Sequence, residues 1–138
     1  MSDVADPVAA ARALHAALEA GLHGDRLAEL FTADATTTER PNAINPRGGT
    51  IGLAEILRGS TAGAGLLARQ RYDVHDAFAH GDLAVIRLTW TGEIAADRGP
   101  FRAGQVLTAH IAQFVRVRDG RIASIETYDC YEPFDAAG

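Results

Sequence analysis

Between Asp6 and Leu22 apolar side chains recur at Val8, Ala11, Leu14, Leu18 and Leu22, the three- and four-residue spacing of one helix face. Pro7 suits a first helical turn after Asp6, and Gly21 and Gly24 stop the pattern. The stretch "DRLAELF" repeats the spacing over a shorter span, with Asp25 as the expected N-cap and Leu27, Leu30 and Phe31 on one side. Together the two segments predict a helical hairpin. The β-branched "ATTTER" predicts a short strand halted by Pro41, and "PNAINPRGG" a loop. A third helix, "IGLAEILRG", is expected to be capped by Thr50 and ended by Gly59, with "STAGAG" as a linker after it.

Past Leu66 the pattern becomes that of strands. "RQRYDVHDAFA" turns at "HGD" into "LAVIRLTWTGEI"; "AADRGPFRAG" leads to "QVLTAHIAQFVRVR", and "DG" turns into "RIASIETYDCYEPF". Four long antiparallel strands follow from this reading. Helices gathered first and strands later predict an α+β domain, a curved and mainly antiparallel sheet wrapped around the helices.

Alternate residues of a strand share a face. Ala84, Ile86, Leu88 and Trp90 form an inward list, as do Ile111, Gln113, Val115 and Val117. If Ile125 points inward, Thr127 and Asp129 do too, provided no bulge exchanges the faces. His110, Tyr128 and Cys130 then fall on the other face, where Phe114 is apolar enough to suggest a subunit contact. Tyr72 and Trp90 are expected as walls able to stack on a planar ligand.

Length and composition narrow the function classes. A chain of 138 residues fits a single domain spanning 1–138. Its 47% apolar and 22% charged content is that of a folded protein rather than a disordered one. The net charge of -5, without a run of like charge, argues against nucleic acid and against an anionic membrane surface. All 13 basic residues are Arg, which excludes Schiff-base and lysine-dependent phosphate chemistry. Cys130, the single cysteine, permits no intrachain disulfide or Cys-rich zinc site. The start "MSDVAD" lacks a basic leader region and no apolar run is long enough to span a membrane, so the cytoplasm is the expected location. His75 and Asp76 are strand neighbours that point apart, and no helix carries a pair of histidines at ligand spacing, so no metal is expected. His75 and His80 read as solvated surface and His23 as a partner of a helix C-terminus.

The helical hairpin, "LFTADAT", the third helix and the paired strands ending "FVRVRDGRI" and "ETYD" resemble the nuclear-transport-factor-two-like superfamily. That superfamily includes SnoaL-like polyketide cyclases and ketosteroid isomerases, and the resemblance covers residues 7–134. It implies a cone-shaped α+β domain whose bent sheet and first helix enclose an apolar cavity for a flat hydrophobic small molecule, in a homodimer built on the sheet. It also implies site residues. Glu39 stands where the isomerases have their catalytic aspartate, His15 where they have an oxyanion-hole tyrosine, and Gln113 where they have an acidic oxyanion partner. Asp129, following Tyr128, matches the acid/base aspartate of the polyketide cyclases, and His110 is the one histidine available on the neighbouring strand. Arg87 matches the central arginine of limonene-type epoxide hydrolases, but Thr89 and Thr127 occupy its two acid positions, which excludes that way of activating water.

The resulting expectation is a cofactor-independent enzyme that isomerises or cyclises a hydrophobic carbonyl compound. Asp129, Glu39 and His15 would be catalytic, and Gln113, Trp90, Tyr72, Leu88, Ile125, Thr127 and His110 would bind substrate. The alternatives are a non-catalytic ligand-binding or dimeric assembly module of the same fold, and a purely structural dimer whose own side chains fill the cavity.

Overall fold

The computed structural model describes residues 6–134. The N-terminal stretch read as lacking a leader therefore lies almost wholly outside the described residues. Helix α1, Pro7–Glu19, begins where expected: the Asp6 carboxylate accepts hydrogen bonds from the amides of Val8 at 3.0 Å and Ala9 at 3.3 Å. This satisfies two of the otherwise orphaned N-terminal donors. Pro7, Ala11, Leu14 and His15 form its buried stripe, with Val8, Leu18 and Leu22 packed partly against the core.

Two helical expectations need correction. The second helix is a 3-10 helix over Gly24–Leu30, entered from His23, and Asp25 sits inside its first turn rather than at the cap. Thr50 caps nothing. It lies in a short strand, its hydroxyl 2.8 Å from that of Thr38, and helix α2 starts after it and runs Leu53–Leu66. The "STAGAG" segment is therefore helical, not a linker, and Gly59 does not end the helix. Packing overrides weak local propensity here. Leu53, Ile56 and Leu57 dock on the core, and the Ser60 hydroxyl, donating to the Leu57 carbonyl at 2.6 Å, also accepts from the Gly24 amide at 2.8 Å.

Among the described residues six strands form one sheet: β1 Phe31–Glu39, β2 Gly49–Gly52, β3 Leu67–His80, β4 Leu83–Ile94, β5 Val106–Arg118 and β6 Arg121–Tyr131. Their order is β2-β1-β6-β5-β4-β3, antiparallel throughout except for the parallel pair β1 and β6. Strand β2, which takes the last residue of the expected loop, the expected cap Thr50 and the first two residues of the expected third helix, is an addition to the sequence reading. The four expected long strands correspond to β3–β6.

Alternation decides the faces. Ala84, Ile86 and Leu88 of β4, Ala109, Ile111, Val115 and Val117 of β5, and Ile122 and Ile125 of β6 join Leu27, Phe31 and α1 in one core. Each fully buried Ile or Leu contributes roughly 1.5–3 kcal/mol. In β6 the irregularity against β5 falls between Ser124 and Ile122, before Ile125, so pairing runs unbroken from Ser124 to Tyr131. Ile125, Thr127, Asp129 and Tyr131 therefore share a face. Among the described residues no helix is long and apolar enough to cross a membrane.

Candidate functional site

The register across the sheet arranges the polar inner side chains in rows. Glu39 of β1, Thr127 of β6, Gln113 of β5 and Ile86 of β4 are successive partners in the first row. Asp129, Ile111, Leu88 and Val74 form the second, and Tyr131, Ala109, Trp90 and Tyr72 the third. Rows on one face are two residues apart along a strand, about 6.5–7 Å. The sheet curves, so the ends of these rows approach one another over a cavity of about 420 Å³, a volume suited to a small organic ligand. Glu39, Asp129, Gln113, Tyr72, Trp90 and Tyr131 line it from the sheet. Ile51 from β2 and Ile56 and Gly59 from α2 close the opposite side.

Asp129 is half-buried. The Thr127 hydroxyl donates to its Oδ1 at 2.6 Å. Burial pushes the carboxyl above the ordinary aspartate range and the nearby Glu39 charge adds to this, while the Thr127 hydrogen bond opposes both. Glu39 is held differently. Asn42 Nδ2 donates to its Oε2 at 2.7 Å and Asn45 Nδ2 to its Oε1 at 3.2 Å, so both oxygens are tethered by the β1–β2 connection. Arg40, next in sequence, points to the other face and pairs with Glu126. Among the described residues no cationic side chain lines the cavity.

His15 stands behind the cavity rather than in it. Its ring is 4% exposed, stacks on Tyr72 at a centroid distance of 4.6 Å and 5° between planes, and places Nε2 3.0 Å from Gln113 Oε1. Nε2–H donates to that oxygen, which leaves the Gln113 amide nitrogen free as a donor; Nδ1 is buried without a partner. Desolvation lowers the His15 pKa, outweighing the opposing Gln113 hydrogen bond, so burial favours the neutral ring.

Trp90 has its own restraint. Its Nε1–H donates to Gln70 Oε1 at 2.9 Å, and Gln70 Nε2 reaches the Leu18 carbonyl at 3.4 Å. The indole lies over Gly92, where an added Cβ would stand 2.5 Å from its Cη2 and Cζ2. Gly92→Ala is therefore expected to displace the indole and cost about 1–3 kcal/mol through overpacking. Chemical denaturation and tryptophan fluorescence measure both effects; unchanged stability and emission would show that the ring is not pinned there.

The expected site residues thus separate. Asp129, Glu39, Gln113, Thr127, Trp90 and Tyr72 meet at one cavity. Leu88 and Ile125, expected to bind substrate, are instead buried in the core and do not line the cavity. His110 is exposed on the outer face, its Nε2 2.8 Å from Glu132 Oε2, because no bulge in β5 turns it inward. Tyr131 and Gln70 were missed. Strand parity with Asp129 and with Tyr72 respectively carried the signal for both. Ile51, Ile56 and the asparagines that hold Glu39 had no signal of that kind.

The SnoaL-like domain family matches residues 11–125. No curated protein sequence matches the chain. Among solved structures, IdmH, a proposed polyketide cyclase from Streptomyces antibioticus, is 24% identical with a TM-score of 0.70, over 89% of this chain and 91% of that one. A protein of ketosteroid isomerase-like fold from Catenulispora acidiphila, solved with trimethylamine, is 25% identical with a TM-score of 0.65, over 86% of this chain and 83% of that one. A proposed SnoaL-like polyketide cyclase from a Jannaschia species is 18% identical with a TM-score of 0.69, over 94% and 89%. These likenesses agree in the cone-like α+β fold.

Proposed function

The chain belongs to the SnoaL-like domain family, and from that premise we propose that it is a cofactor-independent enzyme moving protons on a hydrophobic carbonyl compound, by isomerisation or ring closure. One observation carries this reading. Two carboxylates from strands far apart in sequence, Asp129 and Glu39, face one cavity walled by aromatic and aliphatic side chains and, among the described residues, lined by no cation. A structural ion pair does not account for them.

In this reading ionised Asp129 takes a proton from the carbon beside the substrate carbonyl. The C–H bond breaks, an O–H bond forms on Asp129, and the electron pair moves onto the carbonyl oxygen as an enolate. Returning the proton at another carbon completes an isomerisation. For ring closure, the enolate carbon adds to a second carbonyl of the same molecule and the alkoxide so formed takes the proton back. A carboxylate whose pKa is raised toward the working pH is a stronger base than a solvated aspartate, so it takes the proton more readily and holds it until the cycle returns it. Glu39, tethered by Asn42 and Asn45, lies within the same cavity as the second acid/base group.

Enolisation is common to both outcomes, so exchange of the α-protons of 2-tetralone in deuterated buffer, followed by NMR, tests them together. The protein is expected to accelerate exchange over buffer, and Glu39→Gln to reduce the acceleration about ten- to hundredfold. Binding of the ketone without accelerated exchange would replace the enzyme reading with that of a ligand-binding module.

A further inference from the structure

The residue in the expected oxyanion position, His15, is spent. Its Nε2–H is engaged by Gln113 Oε1 and its Nδ1 is sealed from the cavity. A developing enolate oxygen in this cavity would need other donors. Two phenols line the cavity on the third row, Tyr72 on β3 and Tyr131 on β6, separated along the row by Trp90 and the small Ala109. Their rings are fixed. Tyr72 stacks on His15, and Tyr131 meets Trp90 edge-on at 6.3 Å and Phe134 at 6.1 Å. The Tyr128 hydroxyl on the outer face donates to Glu126 at 3.1 Å. By contrast, those of Tyr72 and Tyr131 engage no partner among the described residues. Unlike His15 Nδ1 these hydroxyls are not sealed, so each is a donor open to the cavity that a ligand oxygen can engage. Burial and the neighbouring Asp129 charge both push these phenols further from ionisation, so they remain donors.

We propose that Tyr72 and Tyr131 are the two donors that hold the substrate's carbonyl oxygen, presented to the third row. This rests on the carbonyl reading above and deepens it. A carbonyl oxygen has lone pairs for two donors, which matches the pair of phenols. The edge of Trp90 and the aliphatic wall of Ile51, Ile56 and Ile111 take the apolar skeleton. Asp129, on the neighbouring row of the same strand as Tyr131, is left to face the carbon beside the carbonyl.

The test is equilibrium binding of 2-tetralone and of tetralin, the same skeleton without the carbonyl, to the unaltered protein and to Tyr72→Phe and Tyr131→Phe. The carbonyl stretch of the bound ketone is read by difference infrared spectroscopy. Each variant is expected to bind 2-tetralone about three- to tenfold more weakly and tetralin with unchanged affinity, and to shift the bound carbonyl stretch to higher frequency. Tetralin binding also reports that the variant's cavity is intact. Equal loss of both ligands, a carbonyl stretch unmoved in both variants, or no binding of 2-tetralone to the unaltered protein would each overturn the assignment. The catalytic reading fails separately. If proton exchange is indifferent to Asp129 while the stretch still responds to the tyrosines, the donors stand and the enzyme does not.

Discussion

Asp129→Asn is expected to lower protein-catalysed α-proton exchange of 2-tetralone by about 10²–10⁴-fold, the range spanned by a positioned general base. The replacement keeps the local geometry, because an asparagine oxygen can still accept the Thr127 hydroxyl that now reaches Asp129 Oδ1 at 2.6 Å. It removes the group that carries the proton. In the unaltered protein the exchange rate should rise with pH through the Asp129 pKa, which burial and Glu39 hold above the ordinary aspartate value of 3.8; in the variant that rise disappears. Stability moves in the opposite sense. Between the unfolded and folded pKa values the folded chain binds the extra proton, so stability falls as pH rises through that window and stays reduced above it. Asparagine does not titrate. The variant should therefore gain in Tm relative to the unaltered protein at pH 7 and lose that gain below the window. Thermal unfolding at both pH values measures this, and a destabilised variant at pH 7 would contradict the burial assigned to Asp129.

Gly48→Ala should cost about 2–5 kcal/mol, from a left-handed backbone penalty and a steric clash together. Gly48 has φ +63°, and a Cβ there would lie 2.5 Å from the Glu39 carbonyl oxygen and 2.9 Å from the Pro41 nitrogen. Backbone cannot yield as a flexible side chain can. The same connection is tied by the Asn42 side chain, whose Oδ1 accepts from the Ile44 and Asn45 amides, and by the Gly48 amide donating to the Asn45 carbonyl at 3.0 Å. Since Asn42 and Asn45 hold the two oxygens of Glu39, forcing this loop open should also release that carboxylate. Urea denaturation reads the first effect. The exchange assay should show a loss comparable to that of Glu39→Gln, and full exchange activity in a measurably destabilised Gly48→Ala protein would separate loop geometry from the site.

Asp129 also shows where local pattern suffices. In β6 the alternation from Ile125 through Thr127 to Asp129 is a property of any regular strand, and the structure keeps the strand regular over that stretch. Tyr131 follows by the same alternation, one step further along the strand. In β4 and β5 the inward lists are likewise the buried ones. Helix α2 is the opposite case. Its glycines and small polar residues weigh locally against a helix, and what fixes it is docking of Leu53, Ile56 and Leu57 on a core built from distant strands.

The amino-acid sequence by itself determined the class of fold, the inner and outer faces of the long strands, and the absence of lysine and disulfide chemistry, because side-chain alternation, turn residues and composition are local properties of the chain. Only the tertiary structure decided which polar side chains meet. The parallel pairing of β1 with β6 sets Glu39 beside Thr127, the packing of α1 puts His15 behind Gln113, and the curvature of the sheet, with α2 folded over it, brings Glu39, Asp129, Tyr72 and Tyr131 to one cavity. Those contacts join residues far apart in the chain, and their geometry is fixed by how the whole core closes, not by the spacing of any one segment.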